Sequence, residues 1–292
     1  MKKTVFRLSV LFLLFVGFTN CSSDDEDSNS TNDSFTFIYE GETVSISSWE
    51  GVKVDNALAI VGRSDDGINI AIEFNKYGNL GYAAVYSTQD VDFEHSESFN
   101  YFKSNYFNFN LVNLDESNNR VSVNFSGDLY ENEYDITSTT HSVEGSFNIS
   151  YTDVDPIIEG IGLSAKVDGV DWHHSDSDQN GGFFSGSNVS LNNFNDGAFT
   201  FSIEVNHDNS DLGSYNFNES STVNRIKLYE YDPATNESIV YETVGTFVLT
   251  EKSVGVQLTV ISGSFNFIAT NPTDNSTVTI TNGTYKEIYN NY

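Results

Sequence analysis

Ile68-Asn69-Ile70-Ala71-Ile72-Glu73-Phe74-Asn75 places a large apolar side chain at every second position, with small or polar residues between. Period-two alternation carried by β-branched and aromatic residues marks a half-buried antiparallel strand. The texture repeats along the chain. Val121, Val123 and Phe125 alternate with Ser122, Asn124 and Ser126, and Phe199, Phe201, Ile203 and Val205 with Thr200, Ser202 and Glu204. Val256, Leu258 and Val260 interleave with Gln257 and Thr259. Between such runs lie turn clusters at Ser64–Gly67, Asp115–Asn119, Asp232–Asn236 and Asn271–Asn275. No long segment has the helical spacing of apolar residues. The expected fold is all-β, in two tandem antiparallel β-sandwich or barrel-like domains.

The expectation of two domains comes from faint self-similarity. Ile72-Glu-Phe-Asn75 recurs as Ile203-Glu-Val-Asn206, Leu80-Gly81 as Leu212-Gly213, and Phe109-Asn-Leu111 as Phe247-Val-Leu249. Ser126-Gly127 recurs as Ser262-Gly263, and Gly145-Ser-Phe147 as Gly283-Thr-Tyr285. The order is kept and the offset drifts slowly, as in a degenerate duplication. Residues 34–153 and 160–292 are then the two domains. The seam falls at Asp153–Gly160, where Pro156 and charges interrupt the alternation. Each half is large enough to enclose a core.

Ahead of these domains the chain reads differently. Lys2, Lys3 and Arg7 precede an apolar run from Leu8 to Phe18, too short to span a bilayer but suited to the core of a signal peptide. Cys21 is the only cysteine, so it has no internal disulfide partner. Residues 1–20 therefore read as a lipoprotein signal peptide, Cys21 as the lipid acceptor, and residues 21–33 as an acidic tether. The expected partner of this end is the membrane, reached through the lipid anchor.

Cys21-Ser22-Ser23-Asp24-Asp25-Glu26-Asp27 resembles the start of Bacteroidota-type surface lipoproteins. In those, an acidic cluster beside the lipidated cysteine directs export to the cell surface. The resemblance implies an outer-membrane protein with Ser22, Ser23, Asp24, Asp25 and Glu26 as its surface-export signal. A second likeness covers roughly residues 163–289. Ala165-Lys-Val-Asp-Gly169-Val-Asp-Trp172, then Ile261-Ser-Gly-Ser-Phe-Asn-Phe267 and Thr281-Asn-Gly283, resemble an uncharacterised family of Bacteroidota lipoproteins. In the first half Glu40-Gly41 stands for Asp168-Gly169, with Trp49 less regularly placed after it. That family implies a small β-domain on a lipid tether and brings no catalytic or binding residues with it.

Charge excludes one class of partner. Removing residues 1–20 takes away three basic residues and no acid, leaving a formal charge of −32 on the mature chain. Such a surface repels phosphates, so no nucleic acid partner is expected. Disorder is excluded too, because 23 Phe and 16 Tyr supply the apolar bulk that disordered chains lack.

Four groups of residues are candidates for chemistry. His173-His174 beside Asp171, Asp176 and Asp178 is rich in metal-capable side chains, but strand neighbours point to opposite faces, so both imidazoles reach one ion only from a loop. Asp176-Ser-Asp178-Gln-Asn180-Gly181 resembles the start of an EF-hand, which makes calcium the ion that Asp176, Asp178 and Asn180 would suit. The likeness stops before the twelfth position, where Ser187 stands in place of the bidentate Glu. Tyr101-Phe102 with Tyr106-Phe107, and Tyr229 with Tyr231, form either a sugar-stacking platform or core pairs. Paired carboxylates would suit a glycan hydrolase, but 42 acids place such pairs by chance. No G-x-S-x-G elbow, P-loop or H-E-x-x-H is present. The expected role is non-catalytic, either binding, with an extracellular glycan or an envelope protein as partner, or structural at the cell envelope. The alternative is an extracellular glycan hydrolase, which a pocket of raised-pKa carboxylates would mark.

Overall fold

A computed structural model describes residues 33–290, apart from 91, 102, 179–188, 196–197, 207–209, 233–234, 236 and 256–257. Cys21 to Glu26 and Asn180 lie outside the described residues. The chain is all-β, as the alternation indicates, with a single helical turn among the described residues, α1 (Lys103–Tyr106).

The first half begins with β1 (Ser34–Tyr39), β2 (Glu42–Val44), β3 (Ile46–Val54) and β4 (Ala57–Ser64). There follow β5 (Ile68–Asn75), β6 (Leu80–Ser87), β7 (Ser96–Ser98) and β8 (Phe107–Asp115). It closes with β9 (Arg120–Tyr130), β10 (Thr140–Ser150) and β11 (Thr152–Val154). These form one sheet in the order β11-β3-β4-β5-β6-β7-β9-β10-β1-β2, with β8 on β9. The free edge of β9 is divided: β8 pairs with Arg120–Gly127 and β7 with Leu129 and Tyr130. At the far edge β2 runs into β3 after Ser45 alone, so the sheet folds back over its own core.

The second half begins with β12 (Gly162–Val167), β13 (Val170–His173), β14 (Asp176–Asp178) and β15 (Val189–Asn195). There follow β16 (Phe199–Asn206), β17 (Gly213–Phe217), β18 (Arg225–Asp232) and β19 (Glu237–Val240). The last three are β20 (Glu242–Val254), β21 (Leu258–Thr270) and β22 (Thr277–Asn290). Here there are two sheets, β13-β12-β22-β21-β20-β17 and β14-β15-β16-β18-β19. Among the described residues no strand pair crosses from one half to the other.

The halves share a strand order. β2-β1-β10-β9-β8 corresponds to β13-β12-β22-β21-β20, and β3-β4-β5-β6 to β14-β15-β16-β18. Both open with a two-residue hairpin at positive φ, Glu40-Gly41 (51° and 79°) and Asp168-Gly169 (49° and 84°), the turn that matches strand twist. Register then aligns a row of residues across each sheet. Val44, Phe37, Gly145, Phe125 and Phe109 lie side by side in the first half. In the second, Trp172 faces Ala165 across the hairpin, and Gly283 faces Phe265, which faces Phe247. Ala165 sits at the bulge that brings β12 past Gly283. The large ring has changed strands: Phe37 beside Val44 in one half, Ala165 beside Trp172 in the other. Core volume is roughly conserved, which is what close packing requires. The counterpart of Trp172 is thus Val44, not Trp49.

Of the five sequence matches, three fall on equivalent positions: β5 with β16, Phe109 with Phe247, and Gly145 with Gly283. Two do not. Gly263 pairs with Tyr285, whereas the partner of the equivalent Phe147 is Val123, so Ser262-Gly263 is four residues out of step with Ser126-Gly127. Leu80 belongs to β6, which pairs β5, but Gly213 opens β17, which pairs β20 in the other sheet. Short strand motifs recur wherever turns meet buried faces, and register is what separates equivalent positions from chance matches.

Each half encloses its own core. Phe37, Phe125 and Phe147 are among the rings of the first, Trp172, Phe201 and Phe265 of the second. Burying a side chain of this size contributes about 1.5–3 kcal/mol. A third cluster spans the halves: Phe99 and Tyr130 from the first meet Tyr231 from the second. Residues 33–292 accordingly form one compact unit.

Candidate functional site

The turn between β5 and β6 is held by one amide. Asn75, buried, accepts hydrogen bonds through Oδ1 from the Tyr77 and Asn79 backbone N–H groups, each at 3.0 Å. Its Nδ2 donates to the His174 carbonyl at 2.9 Å, and Asn79 Nδ2 donates to the His173 carbonyl at 3.0 Å. Two side-chain amides of the first half thus grip successive carbonyls of the second. Beside them Tyr77 stacks on His173 with ring centroids 3.5 Å apart and planes 4° from parallel. Further along, the Asp55 carboxylate accepts from the Gly160 N–H at 2.7 Å.

These contacts frame a cleft of about 380 Å³, lined among others by Asn75, Tyr77, Ile158, Leu163, His173 and His174. The volume lies within the range of small-molecule sites. Tyr77, 49% exposed, stands at its edge. Burial pushes the His173 imidazole below its ordinary pKa, only partly offset by Asp171, so the ring facing Tyr77 is neutral at pH 7. A larger, more open groove of about 640 Å³ adjoins the seam, with Lys53, Lys76 and Lys286 among acids including Asp153 and Glu116. Burial works against the Lys53 ammonium. Asp153 at 2.9 Å and Glu116 at 3.5 Å outweigh it, so its pKa is raised.

Of the candidate metal ligands, His173, His174, Asp171, Asp176 and Asp178 lie among the described residues. His173 stacks outward on Tyr77, while His174 Nδ1 lies 3.2 Å from the Leu163 N–H and 3.1 Å from its carbonyl. The two imidazoles therefore engage different partners and do not converge. Asp176 and Asp178 lie on β14, paired with Asn195 and Asn193. That extended backbone differs from the curled loop in which an EF-hand start presents its ligands. Of the two readings of the aromatic pairs, the packed one fits Tyr101, Tyr106, Phe107 and Tyr231. Tyr101 stacks on buried Tyr231 at 3.9 Å and 8°, Tyr106 meets Phe99 edge-on at 5.2 Å, and Phe107 belongs to the first core. These rings face one another because the two halves press them together, and Tyr101, Tyr106 and Tyr231 serve as the interface. The exposed ring beside a cleft is Tyr77, which the sequence conceals as a single aromatic in a polar turn.

Glu94 is a carboxyl whose pKa is raised, through its hydrogen bond with Glu131, and it lines neither cavity. Comparison with protein-family models, with curated proteins and with solved structures returned no match, so the description of this chain rests on its own topology and chemistry.

Proposed function

We propose that this protein is a lipid-anchored outer-membrane protein, displayed at the cell surface, that binds a ligand without transforming it. The observation that carries the binding reading is the seam cleft, whose walls come from both halves and are held by the Asn75 and Asn79 amides before any ligand arrives. Preorganised walls lower the cost of binding. The lining offers amide, imidazole and phenol groups beside an exposed ring, a chemistry suited to the hydroxyls and apolar faces of an extracellular glycan. The shared strand order supports descent of the halves from one duplicated β-domain, with the seam as the new surface that duplication created. The resemblance to Bacteroidota-type surface lipoproteins supports the location.

Three experiments test this reading. Metabolic labelling with a fatty-acid probe is expected to mark the wild-type chain and not Cys21→Ala. Protease added to intact cells is expected to remove the protein; full protection would end the surface assignment. For the cleft, soluble oligosaccharides are titrated into the full chain, and Tyr77→Ala is expected to weaken binding roughly tenfold, about 1.4 kcal/mol. Binding that ignores Tyr77→Ala would place the ligand elsewhere. Cleavage of a bound oligosaccharide would replace the binding role with a hydrolase.

A further inference from the structure

We propose that Glu94, Glu131 and His141 form a binding site for a divalent transition-metal ion, zinc above all, at one end of the first half's sheet. The three side chains converge because of register. Glu131 extends the β9–β10 ladder one step, its N–H donating to the Thr139 carbonyl at 3.0 Å. His141 pairs with Leu129, so Glu131 and His141 are diagonal neighbours on one face. Glu97 pairs with Tyr130, which sets Ser96 opposite Glu131, and Glu94 lies two residues before Ser96, just ahead of β7. The opposite strand contributes Tyr39, paired with Val143, whose ring stacks on His141 at 5.7 Å and 25° and packs against Phe93 at 5.8 Å. The imidazole is therefore oriented by an aromatic wall.

The three groups lie within reach of one ion. One ligand atom from each of the three groups lies within 4.8 Å of the others. His141 Nε2 is 3.3 Å from Glu131 Oε1. Ligands about 2.0–2.1 Å from a tetrahedral zinc stand about 3.3–3.4 Å apart, so this pair already has that edge. Two carboxylates in contact repel each other unless a proton or a cation lies between them. A divalent ion would relieve that repulsion and engage the imidazole as well. Three protein ligands leave a fourth position for water or a ligand atom. Imidazole beside two carboxylates suits a transition ion, whereas calcium takes six to eight oxygens.

The second half contains an internal control. Asn271 donates its N–H to the Ser276 carbonyl as Glu131 does to Thr139, and Val278 pairs with Ala269 as His141 does with Leu129. Asn and Val at these places lack the carboxylate and the imidazole, so one site per chain is expected. The nearby His95 is engaged by Glu97 at 2.6 Å and is separate from the trio.

Zinc titrated calorimetrically into the full chain in detergent is expected to bind at one equivalent. Glu131→Gln and His141→Ala are each expected to weaken it roughly tenfold or more. Glu94→Gln, at an exposed position that does not threaten folding, should do the same. Asp176→Asn with Asp178→Asn should leave it unchanged, and calcium in large excess should not displace it. Absence of stoichiometric zinc binding, or binding indifferent to both Glu94→Gln and His141→Ala, would overturn the proposal.

Discussion

Gly283→Ala is expected to destabilise the protein by about 3 kcal/mol, at the upper end of overpacking costs, and Phe265→Leu in the same chain to recover part of the loss. The two residues face each other across β21 and β22, and a Cβ on Gly283 would overlap the Phe265 ring, the nearest group it meets. Phe265 is a buried core ring and has little room to retreat. Shortening it removes the obstacle, so the double variant should be more stable than the sum of the single changes by about 1–2 kcal/mol. Chemical denaturation of all four proteins gives the cycle. The equivalent Gly145 should behave differently. Its Cβ would meet the Phe125 ring and also the Thr36 carbonyl oxygen, which is backbone. Gly145→Ala should therefore cost at least as much, and Phe125→Leu should not rescue it. Simple additivity at Gly283, or rescue at Gly145, would show that ring overlap is not what keeps these positions glycine.

Tyr231→Ala is expected to cost about 3–5 kcal/mol, the range for removing a large buried ring, and to uncouple the halves. Tyr231 is 4% exposed, stacks on Tyr101 at 3.9 Å, and meets the fully buried Phe99 edge-on at 5.9 Å. It points away from the second core, because β18 directs Ile226 and Leu228 to that core and Tyr231 to the other face. Its loss therefore leaves both cores intact and removes the centre of the cluster between them. Calorimetry should resolve one unfolding transition into two, since each half retains a core able to melt on its own. A single transition at lower temperature would mean that the remaining contacts, Tyr77 on His173 and the Asn75 and Asn79 amides, suffice to keep the halves cooperative.

Several residues show what alternation conveys and where it stops. The run from Ile68 to Asn75 identified β5 and its core face, Ile70, Ile72 and Phe74. It also led one to expect a solvent-facing side, yet Asn69, Ala71 and Asn75 are buried as well. The other half covers part of that side: Asn75 donates to His174, and a Cβ at Gly81 would stand 2.6 Å from the Ser175 carbonyl. Period two reports which side chains share a face and is silent on what lies over it.

By itself the sequence determined the all-β class, the strands with regular alternation, the Glu40-Gly41 and Asp168-Gly169 turns, and the correspondence of Gly145 with Gly283. All of these are local, resting on residues a few positions apart or on a single backbone preference. The tertiary structure alone decided that the aromatic pairs at Tyr101, Tyr106 and Tyr231 bind the halves to each other. It alone decided that His173 and His174 part company, and that Glu94, Glu131 and His141 converge. Those three lie up to 47 positions apart and meet through the pairing of β7, β9 and β10. Register across strands distant in sequence depends on the whole sheet closing over its core, and no local spacing encodes it.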